Sequence, residues 1–504
     1  SSYVCMQVFQ TLIAFDYESN NAIGVIAESM PLETKLDSNI TSYKYLLRKG
    51  AAFDSIHPIT PADILFSFKL AIAPGIAPKG SAGYYQFIDS LIIEERKPNE
   101  ITMLTHGNYF LNKYFTGDFY ILPKHIYDPS GILDAYSISE LRNVNLAEDS
   151  ILQSLSTSFN DVKFEKNKEF IKGSGPYQIK DWQTNQRIIL ERKENWWGKS
   201  YQNQSTCFDQ NTALIQYEII TDNATALAAL KSGKIDLIKG LIAKDFKELE
   251  NNTKIKTASA VKSNYDYLAY NCHHPFLKDK ALRKAIAHLV NKDELVENIY
   301  YQAAEKTSSP IPSSQKSLIN TTLTEYPFSM DSARHILQEE NWKDSNGDGI
   351  LDKVVDGNQT DFSITYVYNT NDEFRKSFGI LLQNRAKSVG IDIRIDGVDW
   401  SNYLQRLRSG DFDLLYGSKG NPPIPPDLFA NFHSSNANGG RNYTNYKSLK
   451  SDSLMEAIRL SNSDAERKEL YMHLQAEIHQ DLPVLFLVEP HETFVYSNQL
   501  EQVH

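Results

Sequence analysis

Cysteine is scarce in this 504-residue chain. Cys5, Cys207 and Cys272 lie far apart with no C-x-x-C, so the sequence carries neither a disulfide framework nor a zinc-ligand pattern, and at most one bridge can form. Positive charge is also in deficit: the formal net charge is −11 and the Lys and Arg residues are scattered, which excludes the basic footprint of a nucleic-acid binder. Long apolar runs are missing too. Residues 484–488 (VLFLV) are among the longest, far short of the roughly 20 residues that a membrane-spanning helix needs. The chain opens at Ser1-Ser2-Tyr3-Val4-Cys5 without Met and without a signal peptide, so a leading segment is expected to have been removed and export stays open. Cys5 reads as a buried thiol, because the small-apolar run of a lipid-bearing cysteine does not precede it.

What is present fits an ordinary globular protein. Hydrophobic residues make up 41% and charged residues 23%, which rules out disorder as the main state. At roughly 150 residues per domain the length predicts about three domains or two large lobes. Thr60 as N-cap, Pro61 at the first helical position and Asp63 two residues on announce a helix with Ile64, Leu65, Phe68 and Ile72 on one face. Farther along, 213–220 reads as a strand, 222–231 as a helix and 235–238 as a strand, a βαβ unit with Ser232-Gly233 as helix C-cap. The pattern recurs as strand 362–368, helix 373–388, Gly390, strand 391–395, helix 400–408, Ser409-Gly410 and strand 412–415. Residues 230–237 (LKSGKIDL) echo 407–414 (LRSGDFDL), which a duplicated lobe and plain helix-to-strand punctuation explain equally well. The Pro-rich stretches 308–317 and 421–426 read as linkers, since Pro blocks both helix and central strand.

Chemical motifs are weak. Residues 344–352 (DSNGDGILD) fit the first nine positions of a calcium loop, but position twelve, where a bidentate Glu belongs, is Val355. An Asx- and Gly-rich turn accounts for the run without an ion. Ser313 and Lys316 match the S-x-x-K of serine acylases by chance, lying in a Pro-flanked stretch. His273 and His274 are adjacent and cannot share a helical face as a zinc pair does. Tyr and Trp are abundant in mixed polar surroundings, at Tyr84-Tyr85, Tyr265-Asp266-Tyr267, Tyr270-Asn271 and Trp400-Ser401-Asn402-Tyr403, which suits a cleft gripping a ligand of variable composition.

Several blocks, in order, carry a family likeness. They are 43–50 (YKYLLRKG) with 58–67 (PITPADILFS), 173–177 (GSGPY) with Trp182, 189–192 (ILER) and 195–198 (NWWG), 279–285 (DKALRKA), 389–391 with Trp400, 411–413 (DFD) and 467–471 leading to 481–483 (DLP). The chain resembles the extracellular solute-binding proteins of family 5, the oligopeptide- and dipeptide-binding proteins of ABC transporters. The resemblance implies an α/β, two-lobed periplasmic-binding-protein (Venus flytrap) fold of type II, cluster C, with an extra subdomain inserted in lobe 1. On that pattern 1–12 opens lobe 1, 13–172 is the insert, 173–275 continues lobe 1, 276–487 is lobe 2 and 488–504 returns to lobe 1.

The same resemblance places Trp400, Tyr84 and Tyr265 or Tyr267 at ligand-facing positions. Where the family's peptide binders usually read G-W-x-x-D-Y, the Asp pairing with the ligand's ammonium, this chain reads Gly417-Ser418-Lys419-Gly420-Asn421-Pro422. The Trp is gone, and depending on one gap the acid is Asn421 or Pro422. Without that carboxylate an ammonium loses a charge-assisted hydrogen bond, and Lys419 reads either as attracting an anion or as a solvated loop residue. The expected ligand-binding set is therefore Tyr84, Tyr265, Tyr267, Trp400, Tyr403, Ser418, Lys419 and Asn421, with no catalytic residue, metal ligand or cofactor. The expected protein is a non-enzymatic, monomeric, periplasmic or extracytoplasmic binder, lipid-anchored through a missing N-terminal segment if anchored at all. It delivers a peptide or other small molecule to ABC permease subunits, with a sensor or chaperone-like receptor, or a hydrolase, as alternatives.

Overall fold

The computed structural model describes residues 2–500 apart from 55–56, 78–80, 251, 253, 356 and 462; residue 1 and the last four residues of the expected C-terminal return lie outside the described residues. The chain is mixed α/β and divides into two compact units, Ser1–Ile220 and Thr221–His504.

In the first unit a four-stranded antiparallel sheet runs in the order Leu32–Lys35, Ile40–Leu46, Glu100–His106, Ile88–Ile92. Alternation along these strands buries Tyr43, Tyr45, Ile101 and Met103 in one core with Ile64, Phe68 and Ile72 of helix Pro61–Ile72. That helix starts as its sequence predicts, the Thr60 amide and hydroxyl donating to the Asp63 carboxylate at 2.9 and 2.7 Å.

A second, three-stranded sheet (Tyr177–Gln183, Arg187–Arg192, Leu214–Glu218) packs Tyr177, Ile179 and Leu190 against Val4 and Val8 of helix Ser2–Val8. The GSGPY stretch makes this approach feasible. A Cβ on Gly173 would sit 2.0 Å from the Val8 carbonyl oxygen and one on Gly175 2.4 Å from that of Gln7, while Trp196 and Trp197 both donate their indole N–H to the Ser174 carbonyl at 2.7 and 2.9 Å. Cys5, on that helix, is half-buried rather than buried, and all three cysteines are free thiols.

The expected βαβ unit over 213–238 does not form. Leu214–Glu218 pairs antiparallel with Arg187–Arg192 in the first unit, whereas Leu237–Lys239 pairs antiparallel with Val484–Ser497 in the second. Periodicity identifies elements but not their partners. The later pattern holds: Ser363–Asn369, helix Glu373–Lys387, Asp392–Val398, helix Trp400–Ser409 and Leu414–Gly420 build a parallel βαβαβ with Ser363–Asn369 in the middle. The two echo segments share only a helix end. Gly233 and Gly410 both take positive φ (73° and 72°), and the next residues, Lys234 and Asp411, donate back to Ala229 and Arg406 carbonyls. Their following strands then take different partners.

The second unit is organised on an eight-stranded sheet in which Val484–Ser497 pairs in turn with Asn264–Tyr270, Ala304–Lys306, Ile255–Val261 and Leu237–Lys239. Neither Pro-rich stretch links domains. Residues 308–317 form a strap pressed into this unit, with Ile311 fully buried, Ser309 Oγ donating to Gln475 at 2.8 Å and the Ser313 amide on the Glu489 carboxylate at 3.0 Å. Pro426, in the other stretch, receives the Tyr471 hydroxyl on its carbonyl. Proline here removes donors from backbone that side chains then satisfy. In the loop 344–352, Asp344 accepts the Gly347 and Gly349 amides at 2.6 and 3.0 Å and Asp352 accepts the Ser345 amide at 2.9 Å, which is the turn chemistry.

Arg283 fastens helix Lys280–Ala287 to the end of helix Asp464–Asp481. Its buried guanidinium donates to the carbonyls of Leu277 (2.5 Å), Lys278 (3.0 Å), Leu482 (3.0 Å) and Asp481. Arg283→Met leaves those carbonyls without donors at about 1–3 kcal/mol for each unpaired group. A loss of about 3 kcal/mol or more is therefore expected in urea unfolding, and a midpoint equal to wild type would contradict this role.

Candidate functional site

Strands Asn264–Tyr270 and Leu414–Gly420 run antiparallel with Tyr265 opposite Lys419, Tyr267 opposite Gly417 and Ala269 opposite Leu415. Since strand side chains alternate, these residues share one face, while Asp266, Leu268, Tyr416 and Ser418 share the other.

Apart from exposed Ser418, the second face is locked into the interior. Asp266 is buried and accepts on Oδ2 from the Tyr300 hydroxyl at 2.5 Å and the Tyr416 hydroxyl at 3.2 Å. Burial raises its carboxyl above the usual carboxylate range although these hydroxyls and Ser418 favour the ion. Arg375, also buried, pairs with Asp372 at 3.0 Å and lies 5.1 Å from the Tyr403 ring centre.

The first face opens into a small recess. Tyr265 is buried with its ring edge-on to Phe486 (5.2 Å between centres) and next to Tyr267 (5.8 Å). Gly417 is what lets Tyr267 lie there, because a Cβ at 417 would fall 2.3 Å from the Tyr267 ring. Lys419 and Arg441 supply the charge, Phe432 and Val484 the apolar wall, and Tyr443 a further phenol. Lys419 is half-buried and Arg441 exposed. Loss of solvation and the positive charge of Arg441 both push the Lys419 ammonium below its ordinary value.

The structure brings together Tyr265, Tyr267 and Lys419 of the expected set in this recess. Ser418 faces the other way, beside Asp266. Tyr403 is buried, its hydroxyl donating to the Tyr416 carbonyl at 2.6 Å, and half-exposed Trp400 stacks on it at 5.4 Å. Asn421 donates its backbone N–H to the Ser263 carbonyl at 2.7 Å, and its side-chain nitrogen is buried without an acceptor. Tyr84 belongs to the first unit, where its hydroxyl donates to Asp118 at 3.0 Å beside that of Tyr85 at 3.1 Å. Arg441, Tyr443 and Phe432 were not expected; the only hint is an Arg after Gly439-Gly440 in an Asn-rich loop. A second, polar recess includes Asn271 and Asn442, but Asn271 spends its amide on the Gly410 and Phe412 carbonyls and Asn442 spends its own on those of His433 and Tyr446. Among the described residues no cluster of His, Cys, Asp or Glu could hold a metal ion, and no helix is long and apolar enough to cross a membrane.

Residues 22–441 match the family described as bacterial extracellular solute-binding proteins, family 5 Middle, and the chain belongs to that family. Its fold is accordingly the two-lobed type II periplasmic-binding fold. Among curated proteins it is similar to the oligopeptide-binding protein AppA of Bacillus subtilis, 27% identical over 489 residues that cover 94% of this chain and 80% of AppA. It is also similar to heme-binding protein A of Haemophilus influenzae, 24% identical with 95% and 80% covered. The solved structure of B. subtilis AppA with a nonapeptide superposes with a TM-score of 0.70 at 24% identity, covering 100% of this chain and 91% of that one.

Two outcomes follow from the geometry. Gly417→Ala should displace the Tyr267 ring, changing the near-UV circular dichroism and lowering the unfolding midpoint; with Tyr267→Ala added, the double-mutant cycle should show a coupling of about 0.5–3 kcal/mol. Additive effects would mean that the ring does not depend on Gly417. In the first unit, the Asp118 carboxyl lies against two phenols although the residue keeps exposed surface, and loss of solvation raises it to about 6. The unfolded carboxyl ionises near about 3.9, so this contribution to stability is full below about pH 4 and is lost as pH rises through about 6. Asp118→Asn should therefore gain on wild type in urea midpoint between about pH 4 and pH 7, and a constant difference would show that Asp118 does not titrate in that window.

Proposed function

We propose that this protein is the substrate-binding component of a peptide-type ABC importer, which captures a peptide or peptide-sized solute between two closing lobes and presents it to a membrane permease. The observation that carries this reading is the family match over residues 22–441. The aromatic, partly apolar recess suits a ligand gripped by its backbone while its side chains vary. Of the relatives, one is named for oligopeptides and one for heme. Closure is favoured only to the extent that the ligand binds the closed form better, and no bond is made or broken. The protein acts as a monomer in the periplasm or another extracytoplasmic space.

Native and denaturing mass spectra of the purified protein test the reading. A spread of added masses that fragment as peptides is expected. A single non-peptide mass would replace peptide by that solute, and turnover of a peptide or glycan panel by the purified chain would overturn the non-enzymatic assignment.

A further inference from the structure

The most unusual feature of the recess is its charge. In a chain of net charge −11, Lys419 and Arg441 line one small recess, and among the described residues neither has a carboxylate within ion-pairing distance. Lys419 is half-buried, where loss of solvation without a counter-charge is costly, and exposed Arg441 adds like charge beside it. At the strand end carrying Lys419, the Asn421 side-chain nitrogen is a buried donor without an acceptor. The two cations stand beside an apolar wall of Phe432 and Val484.

We propose that this recess binds the carboxylate end of an amphiphilic ligand, with Lys419 and Arg441 as its charge partners, the phenols of Tyr265, Tyr267 and Tyr443 around it, and the group next to the carboxylate against Phe432. The proposal rests on the solute-binding reading and narrows its ligand to an anion. A free ammonium placed here would meet two like charges, which costs binding where a carboxylate gains charge-assisted hydrogen bonds. The chemistry fits a peptide's terminal carboxylate and a small apolar carboxylic acid alike, and the experiment separates them.

The full chain is titrated calorimetrically with one tetrapeptide library in three end forms: free acid with acetylated amine, amide with free amine, and amide with succinylated amine. In parallel, thermal shifts are recorded with 4-phenylbutyrate and with its uncharged amide. Each is repeated on Lys419→Met/Arg441→Met, whose fold is checked by circular dichroism. The two carboxylate-bearing library forms should bind about tenfold tighter than the ammonium-bearing amide, a preference of about 1.4 kcal/mol, and the double variant should lose it. Phenylbutyrate but not its amide should raise the melting temperature of wild type alone. A peptide preference with no phenylbutyrate shift would assign the site to peptide ends. Phenylbutyrate binding with no peptide binding would keep the anion site and remove the peptide reading. Equal or tighter binding of the ammonium form, a preference that survives in the double variant, or no shift and no binding by any probe would overturn the proposal.

Discussion

The antiparallel register between Asn264–Tyr270 and Leu414–Gly420 is the constraint on which the rest of the site depends. With Tyr265 set against Lys419 and Tyr267 against Gly417, every second side chain goes to the recess and the alternate ones go to the interior. A slip of one residue in Asn264–Tyr270 would carry Asp266 to the recess beside Lys419, cancelling its charge. The register is held from the interior side. Asp266 has the Tyr300 and Tyr416 hydroxyls as donors, and these two hydroxyls also meet each other at 2.6 Å. A buried carboxylate is expensive, but once it has donors it penalises each alternative pairing that would strip them away. The recess thus inherits its geometry from a polar lock on the opposite face.

How much of this was legible in the sequence differs by level. Helix starts were readable because capping chemistry is local, as Thr60-Pro61-Ala62-Asp63 shows. The βαβαβ of residues 363–420 was readable because continuous apolar strands alternate with helices. The other expected βαβ failed at its strands' partners: Leu214–Glu218 and Leu237–Lys239 look alike in periodicity, yet one completes an antiparallel sheet of the first unit and the other an edge of Val484–Ser497. Strand pairing is a long-range property that no window reports. The Pro-rich stretch 308–317 misled for a related reason: Pro signals absence of regular hydrogen bonding, not exposure, and here Gln475, Glu489 and Lys292 bond to Ser309, Ser313 and Ser308 from outside the stretch.

The family likeness proved strongest where the chain is constrained by packing. Gly173, Gly175 and the Trp196-Trp197 pair that stand out in the sequence hold the N-terminal helix against the small sheet, and they say nothing of a ligand. The candidate site was legible only in part. Tyr265, Tyr267 and Lys419 were found, since aromatics at i and i+2 on a strand share a face. Ser418 could not be sorted from Lys419 until the register was known. Arg441 and Tyr443 come from an Asn- and Gly-rich loop whose course no local rule predicts.

Gly417 and Ser418 point to opposite faces of the strand, and the open space above Gly417 is taken by the ring of Tyr267 from the neighbouring strand. Lys419 and Arg441 act in one direction at the recess. A lining of phenols and apolar groups alone would be neutral and tolerant of either ligand end; two cations make it discriminate, because like charge repels while the opposite charge is bound. Specificity in such a site lies as much in what the pair of cations excludes as in what it holds.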